Sequence, residues 1–344
     1  MLRIRIEQLL AGRSLSRSEA SGLMAQIMDG ELTDVQIAGL LVAMRAKGPT
    51  VDEIAGFAWT MRSRAVHVTP TRECLVDTCG TGGDGANTFN ISTAAALVAA
   101  GAGVNVAKHG NRAVSSQSGS ADVLEALGVP NVPADRVAGV IDNAGIGFMF
   151  APSHHPAMRH AVAARRELGV RTVFNLLGPL TNPAGVTRQL VGVSDGSMCE
   201  TIANVLGELG SEKVYVVHGK DGSDEVSVTG DTMVTVLDDG KLRSFTFVPD
   251  SVGITPHSAD ALVGGSARDN AAIIEDVLSG NSGAARDAVA VNAGFVICAA
   301  GVRETIADGV AAAAEAIDSG AARRSLEKLR RASLAATKMD GNDQ

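Results

Sequence analysis

Residues 76–93 read VDTCGTGGDGANTFNIST, and several groups in that stretch suit one kind of chemistry. Gly80, Gly82, Gly83 and Gly85 make a turn whose backbone N–H groups are free to point at a ligand. Asn90, Ser92 and Thr93 add side-chain donors where the following helix should begin, with Thr88 beside them. Donors at a helix N-terminus make a cradle for phosphate oxygens. A second loop, KHGNRAVSSQS from Lys108 to Ser118, carries two permanent cations, Lys108 and Arg112, among several hydroxyls. Both loops follow strand-like runs, and strand ends of an open parallel sheet converge on one crevice. Two phosphate-seeking loops in one crevice imply a ligand with phosphates at two ends.

Two further segments fit that ligand. Asp224 and Glu225 follow a strand-like run, where adjacent carboxylates are most often solvated turn residues. A polyphosphate crevice needs divalent cations, however, and Mg2+ takes carboxylate, hydroxyl and phosphate oxygens. That need makes the pair candidate ligands. The segment RRELGVRTVFNLLGPLTNP, 165–183, carries arginines, and a guanidinium matches a carboxylate in a bidentate fork. One of them is suited to an acceptor's carboxylate, although arginines on a helix surface are commoner. His154 and His155 lack a third ligand or a nearby carboxylate motif and read as capping or packing residues.

Gly80, Gly82 and Gly85 also satisfy G-x-G-x-x-G after a strand, the dinucleotide fingerprint. Two features oppose that reading. A polar stretch through Asn90 separates the glycines from the helix, and the next strand runs into Lys108 instead of ending in an acid for a ribose hydroxyl. No Walker lysine follows the glycines.

The elements that position these groups are legible in outline. The first ~66 residues read as consecutive helices punctuated by capping boxes at Ser16/Glu19, Thr33/Gln36 and Thr50/Glu53. Apolar stripes follow each cap: Ala20, Leu23, Met24, Ile27; Ile37, Leu40, Leu41, Met44; Ile54, Phe57, Ala58, Met61. Each stripe needs a partner, in this chain or in a second subunit. Strand-like runs then alternate with small-residue helices: Leu75–Thr78 before Ser92–Ala100, Val104–Ala107 before Ser120–Leu127, Ile146–Phe150, Leu190–Val193 before Glu200–Leu209, and Val214–Val217. That alternation predicts a mostly parallel sheet covered on both faces. Glu225–Val228, Met233–Leu237 and Leu242–Val248 predict an antiparallel addition. The expected division is a small helical domain over 1–68 completed by about 152–184, a large α/β domain over 69–151 and 185–338, and a polar tail over 339–344.

Composition excludes several classes. The 344 residues carry 30 basic against 38 acidic side chains, a net charge of −8, which disfavours a general nucleic-acid or anionic-membrane binder. Cys74, Cys79, Cys199 and Cys298 form no C-x-x-C pair, which argues against a structural zinc or a disulfide framework and fits a reducing compartment. The apolar runs 93–107 and 288–302 are interrupted and too short to span a membrane. The N-terminus lacks the apolar core of a secretory signal, so a cytoplasmic location is expected.

In order and spacing, DTCGTGGDG, TFNIST, KHGNRAVSSQSGSADVLEALG, RRELGVRTVFNLLGPLTNP and DGSDE resemble the motifs of the anthranilate phosphoribosyltransferase family, and the likeness covers essentially the whole chain. The related pyrimidine nucleoside phosphorylases are similar in fold but carry a different glycine loop and lack the KHGN run. The resemblance implies a nucleoside phosphorylase-like phosphoribosyltransferase fold. It implies transfer of a phosphoribosyl group from 5-phosphoribosyl 1-pyrophosphate to the amine of anthranilate, in tryptophan biosynthesis, and a homodimer joined through the helical domain. By the same resemblance the donor touches Gly80, Gly83, Asp84, Thr88, Asn90, Ile91, Ser92, Thr93, Lys108, His109, Gly110, Asn111, Arg112, Ala113, Val114, Ser115, Ser116 and Ser120. Ser92, Asp224 and Glu225 serve two Mg2+ per subunit; Gly80, Asn111 and Arg166 contact anthranilate; and Lys108, Asp224 and Glu225 act in catalysis. Two rival readings are set against it, the first opposed by the missing dinucleotide spacing and the second by the net charge of −8. An NADP-dependent oxidoreductase would use Lys108 and Arg112 for the 2′-phosphate, and a non-catalytic nucleic-acid-binding relative of the same fold would need a basic groove.

Overall fold

Ser16, Thr33 and Thr50 each accept a hydrogen bond from the backbone three residues on, and Glu19, Gln36 and Glu53 reach back to the cap N–H. The computed structural model describes residues 2–113 and 117–338. It opens with α1 (Leu2–Leu10), α2 (Arg17–Met28), α3 (Asp34–Lys47) and α4 (Val51–Ser63). Gly30 and Gly48 follow α2 and α3 with φ of 71° and 86°, a left-handed turn that glycine adopts without strain. All three predicted stripes are buried. They share one apolar cluster with Ala161, Ala164, Val173, Phe174, Leu177 and Leu180, so the 152–184 stretch packs on the opening helices. The cluster continues onto one face of the sheet through Val191, Val193, Val214 and Val216.

The sheet has seven strands: β1 (Val76–Gly80), β2 (Val106–Gly110), β3 (Ile146–Phe150), β4 (Arg188–Gly192), β5 (Lys213–Gly219), β6 (Thr232–Asp238) and β7 (Lys241–Phe247). Their order is β3-β2-β1-β4-β5-β6-β7. The first five run parallel, and β6 and β7 add antiparallel at one edge. Helices α5 (Ile91–Gly101) and α6 (Ser120–Ala126) follow β1 and β2. One predicted strand is absent: Glu225–Val228 is irregular. Its backbone is satisfied by side chains instead of a ladder, with Val226 N–H donating to Asn292 Oδ1 and Ser227 N–H to Thr232 Oγ1. The alternation of apolar and polar residues there reflects the burial of Val226 and Val228 in the core beneath the sheet's helices.

The apolar run beginning at Ala288 forms most of the helix Ala284–Ala299, which is buried around nearly its whole circumference against the sheet and α5. Among the described residues no helix is long and apolar enough to cross a membrane. The tail 339–344 lies outside the described residues. His154 and His155 are buried, donating through Nδ1 to the Val66 carbonyl at 2.9 Å and through Nε2 to the Thr181 carbonyl at 3.0 Å. These bonds tie the helical segments to their connections, in keeping with the packing reading.

Candidate active site

At the carboxyl ends of β1, β2 and β5 the structure holds a crevice of about 540 Å³. The loop 81–90 joins β1 to α5, so the glycine turn stands well before the helix, unlike a dinucleotide fold. Gly80 and Gly192 face each other across β1 and β4. A Cβ on either would overlap Asp224, whose loop lies directly over these two strand ends. Small residues here bring the carboxylates of one loop onto the backbone of another. Gly82 N–H donates to Asp224 Oδ2 at 2.6 Å, and Ser92 N–H, in the first turn of α5, donates to Glu225 Oε1 at 3.2 Å.

The floor is a buried polar knot. Asp77 is fully buried and accepts from His109 N–H at 3.1 Å and Asn182 Nδ2 at 2.8 Å. Burial pushes its carboxyl up, and the nearby Lys108 charge opposes that rise. The Cys79 thiol donates to Asp77 and is pushed well up by burial and that carboxylate. Lys108, 3% exposed, donates to the Thr78 carbonyl at 2.6 Å and toward Ser92 Oγ at 3.4 Å. Among the described residues its ammonium forms no ion pair. Burial drives His109 down to about 3, with His155 adding, so the imidazole is neutral. Its Nδ1 donates to the Gly178 carbonyl.

The carboxylates are short of positive charge. Burial first, and the Asp84 charge second, raise Asp224 to about 6. Burial and the neighbouring Asp224 raise Glu225 to about 8, against the pull of Lys108. Two acids forced toward neutrality side by side, with the Ser92 hydroxyl nearby, are the donor set a hard divalent cation would complete. Among the described residues no three His, Cys, Asp or Glu side chains are gathered around one ion-sized point. Two carboxylates and a hydroxyl are oxygen donors of the kind Mg2+ takes together with waters and phosphate oxygens. Thr93 Oγ1 and His109 Nε2, both bordering the crevice, have no hydrogen-bond partner among the described residues.

Every residue predicted for the site and described borders this crevice except Arg166. Val114, Ser115 and Ser116 lie outside the described residues. Arg166 is exposed on the outer side of the helix Val162–Leu168. Arg165, one residue earlier, borders the crevice with its guanidinium 5.3 Å from the Phe174 ring centroid. The helical phase explains the difference: Arg165 follows Ala161 by four residues, and Ala161 and Ala164 are buried. Arg171 also borders the crevice and donates to the Gly82 carbonyl. No sequence pattern marked it apart from its neighbours. Arg112 differs from expectation in its partners, for its guanidinium pairs with Asp122 and Glu125 on α6.

A helical lobe beside a mostly parallel sheet, with a glycine turn and an acidic pair at the strand ends, suits a sugar-phosphate transferase, and the family comparisons point to the same class. The profile "Glycosyl transferase family, a/b domain" matches residues 72–323, and "Glycosyl transferase family, helical bundle domain" matches 5–65. The chain belongs to that family. It falls among the anthranilate phosphoribosyltransferases: the one from Moorella thermoacetica is 55% identical over 96% of this chain and 97% of its own length. The crystal structure of the Thermus thermophilus anthranilate phosphoribosyltransferase superposes with a TM-score of 0.91 at 44% identity, covering 96% of this chain and 99% of that one. The Saccharomyces cerevisiae enzyme, solved in complex with PRPP and Mg, gives 0.89 at 28% identity, covering 97% and 98%.

Proposed function

We propose that this chain transfers the phosphoribosyl group of 5-phosphoribosyl 1-pyrophosphate to the amine of anthranilate, releasing pyrophosphate, in tryptophan biosynthesis. The observation that carries this reading is the convergence of the glycine turn, the buried Lys108 and the charge-starved Asp224–Glu225 pair on one crevice. The turn, the N-cap Asn90 and the first residues of α5, Ile91 to Thr93, hold pyrophosphate through N–H, amide and hydroxyl donors. The end of β2 from Lys108 and the residues after it through Ala113, with Ser120 at the start of α6, take the rest of the donor. Asp224, Glu225 and Ser92 hold Mg2+, two ions per subunit. When bound, the metal neutralises charge on the pyrophosphate oxygens.

Breaking the anomeric C–O bond puts positive charge on the ribose and negative charge on the leaving group. Lys108 lies beside Ser92 at the start of α5 and, among the described residues, makes no ion pair within 4 Å, so its charge can act on the departing pyrophosphate. The aromatic amine is neutral at pH 7 and nucleophilic without a strong base. Arg165 takes the anthranilate carboxylate in place of Arg166, supported by its position on the crevice wall. Gly80 and Asn111, which also border the crevice, complete the acceptor's contacts. The chain's chief contributions are positioning and leaving-group stabilisation.

The helical domain spans 1–68, completed by 152–184, and joins a homodimer. Exposed Ile4, Leu10, Val35 and Trp59 on its helices support that surface. Four free cysteines support a reducing, cytoplasmic location. The test is loss of anthranilate fluorescence with the phosphoribosyl donor, with and without Mg2+. Loss only with donor and metal together is expected; no loss under any condition overturns the reading.

A further inference from the structure

Asn90 sits at the N-cap of α5, where asparagine normally accepts a hydrogen bond from its own helix, yet its side chain makes no such bond. The amide is committed elsewhere. Asn90 Nδ2 donates to the Ser118 carbonyl at 3.1 Å, and Asn90 Oδ1 accepts from Asn270 Nδ2 at 2.9 Å. Asn270, 2% exposed, in turn accepts from Gly265 N–H at 2.7 Å through Oδ1. The direction of this chain is forced at both ends. Gly265 supplies an N–H and Ser118 a C=O, so each amide between them has one orientation that satisfies both neighbours.

The same segment grips the glycine loop by its backbone. Gly264 N–H donates to the Asn87 carbonyl at 2.8 Å and Phe89 N–H to the Leu262 carbonyl at 3.1 Å, with an antiparallel bridge between Thr88 and Val263. A Cβ on Gly264 would lie 2.7 Å from both Phe89 Cα and Asn270 Oδ1, so the approach requires glycine. The strap is anchored because Ser266 forms a capping box with Asp269 at the start of the helix Ala267–Leu278.

The geometry points to Asn270 as a positioning residue that fixes Asn90 and, through it, joins the glycine loop to the segment closing the Lys108 loop. This rests on the reading that Asn90 belongs to the donor cradle. Asn270 touches no substrate. It sets the spacing between the two loops that grip the two ends of the donor. Its role therefore falls first on the donor, and reaches the acceptor only through Gly80 and Asn111, which border the same crevice.

The test compares Asn270→Ala, Asn270→Asp, Asn90→Ala and the double variant Asn90→Ala/Asn270→Ala by KM for each substrate and by Tm. Asn270→Asp keeps shape and the acceptor for Gly265 but presents an acceptor to Asn90. Turning the Asn90 amide to meet it would set oxygen against the Ser118 carbonyl. Both Asn270 variants are expected to raise the donor KM by about five- to tenfold and the anthranilate KM by clearly less. The double variant should be no worse for donor than Asn90→Ala alone. Lowered Tm with an unchanged donor KM in both Asn270 variants, or effects that multiply in the double variant, overturns the inference. If Asn90→Ala itself leaves the donor KM at the wild-type value, the cradle assignment falls and the inference with it.

Discussion

Glu53 and Glu225 are both shielded glutamates, and their surroundings differ in kind. Glu53, fully buried in the helical lobe, accepts from Leu15 N–H, Thr50 N–H and Lys47 Nζ at 2.8, 2.8 and 2.9 Å. Glu225, at the crevice, has Ser92 N–H at 3.2 Å and a second acid beside it, and is pushed up to about 8. A carboxylate that holds a fold together is paired within the fold. One kept for a ligand is left incomplete, and the protein tolerates the cost until charge arrives from outside.

The sharpest way to break this contrast is to remove the incomplete pair. Converting Asp224 and Glu225 together to Ala should lower kcat by about a thousandfold or more while Tm stays at or above the wild-type value. Steady-state rates and thermal melts read both; a large fall in Tm with retained turnover would exchange the roles of the two regions. Next in size, Glu53→Ala should destabilise by about 3 kcal/mol, because it strands Lys47 and two backbone donors, yet leave kcat unchanged below the melting range. Denaturant titration measures it.

Much of that contrast was legible in sequence, unequally. The helical lobe announced itself because its caps and stripes are local: Ser16, Thr33 and Thr50 do at three residues' range what they do in the fold. The two glycine- and cation-bearing segments were legible as neighbours, since strand ends of a parallel sheet converge, and the structure brings both to one crevice. The details that depend on distant partners were not legible. Asn270 lies 180 residues from Asn90. The irregular path of Glu225–Val228 is set by Asn292, 66 residues from Val226. Arg165 differs from Arg166 only in helical phase, and the burial of Ala161 and Ala164 is what sets that phase.

That last difference gives a smaller-scale comparison. Arg165→Ala should raise the anthranilate KM by about ten- to a hundredfold, the range for a lost charged hydrogen bond, with the donor KM unchanged. Arg166→Ala should leave both near wild type. Equal effects of the two variants would remove the distinction between crevice wall and helix surface.

The smallest effect is one of pH. Glu225 is raised from an ordinary value of 4.5 to about 8, so the folded, metal-free protein holds a proton that the unfolded chain releases. That contribution is fully present below the ordinary value and is lost as pH rises through about 8. Asp224 acts in the same sense around pH 6. In chelator the Tm should fall between these values, and Glu225→Gln should flatten the upper part of the fall. An unchanged slope in that variant would mean that Glu225 is already charged and paired.

Calorimetric titration of phosphoribosyl pyrophosphate into the wild-type chain, with Mg2+ and with chelator, reads the central claim without relying on turnover. The account predicts tight binding only with the metal, and loss of that metal dependence when Asp224→Asn and Glu225→Gln are combined. Equal affinity with and without Mg2+ in the wild type would show that the acidic pair plays no part in holding the donor.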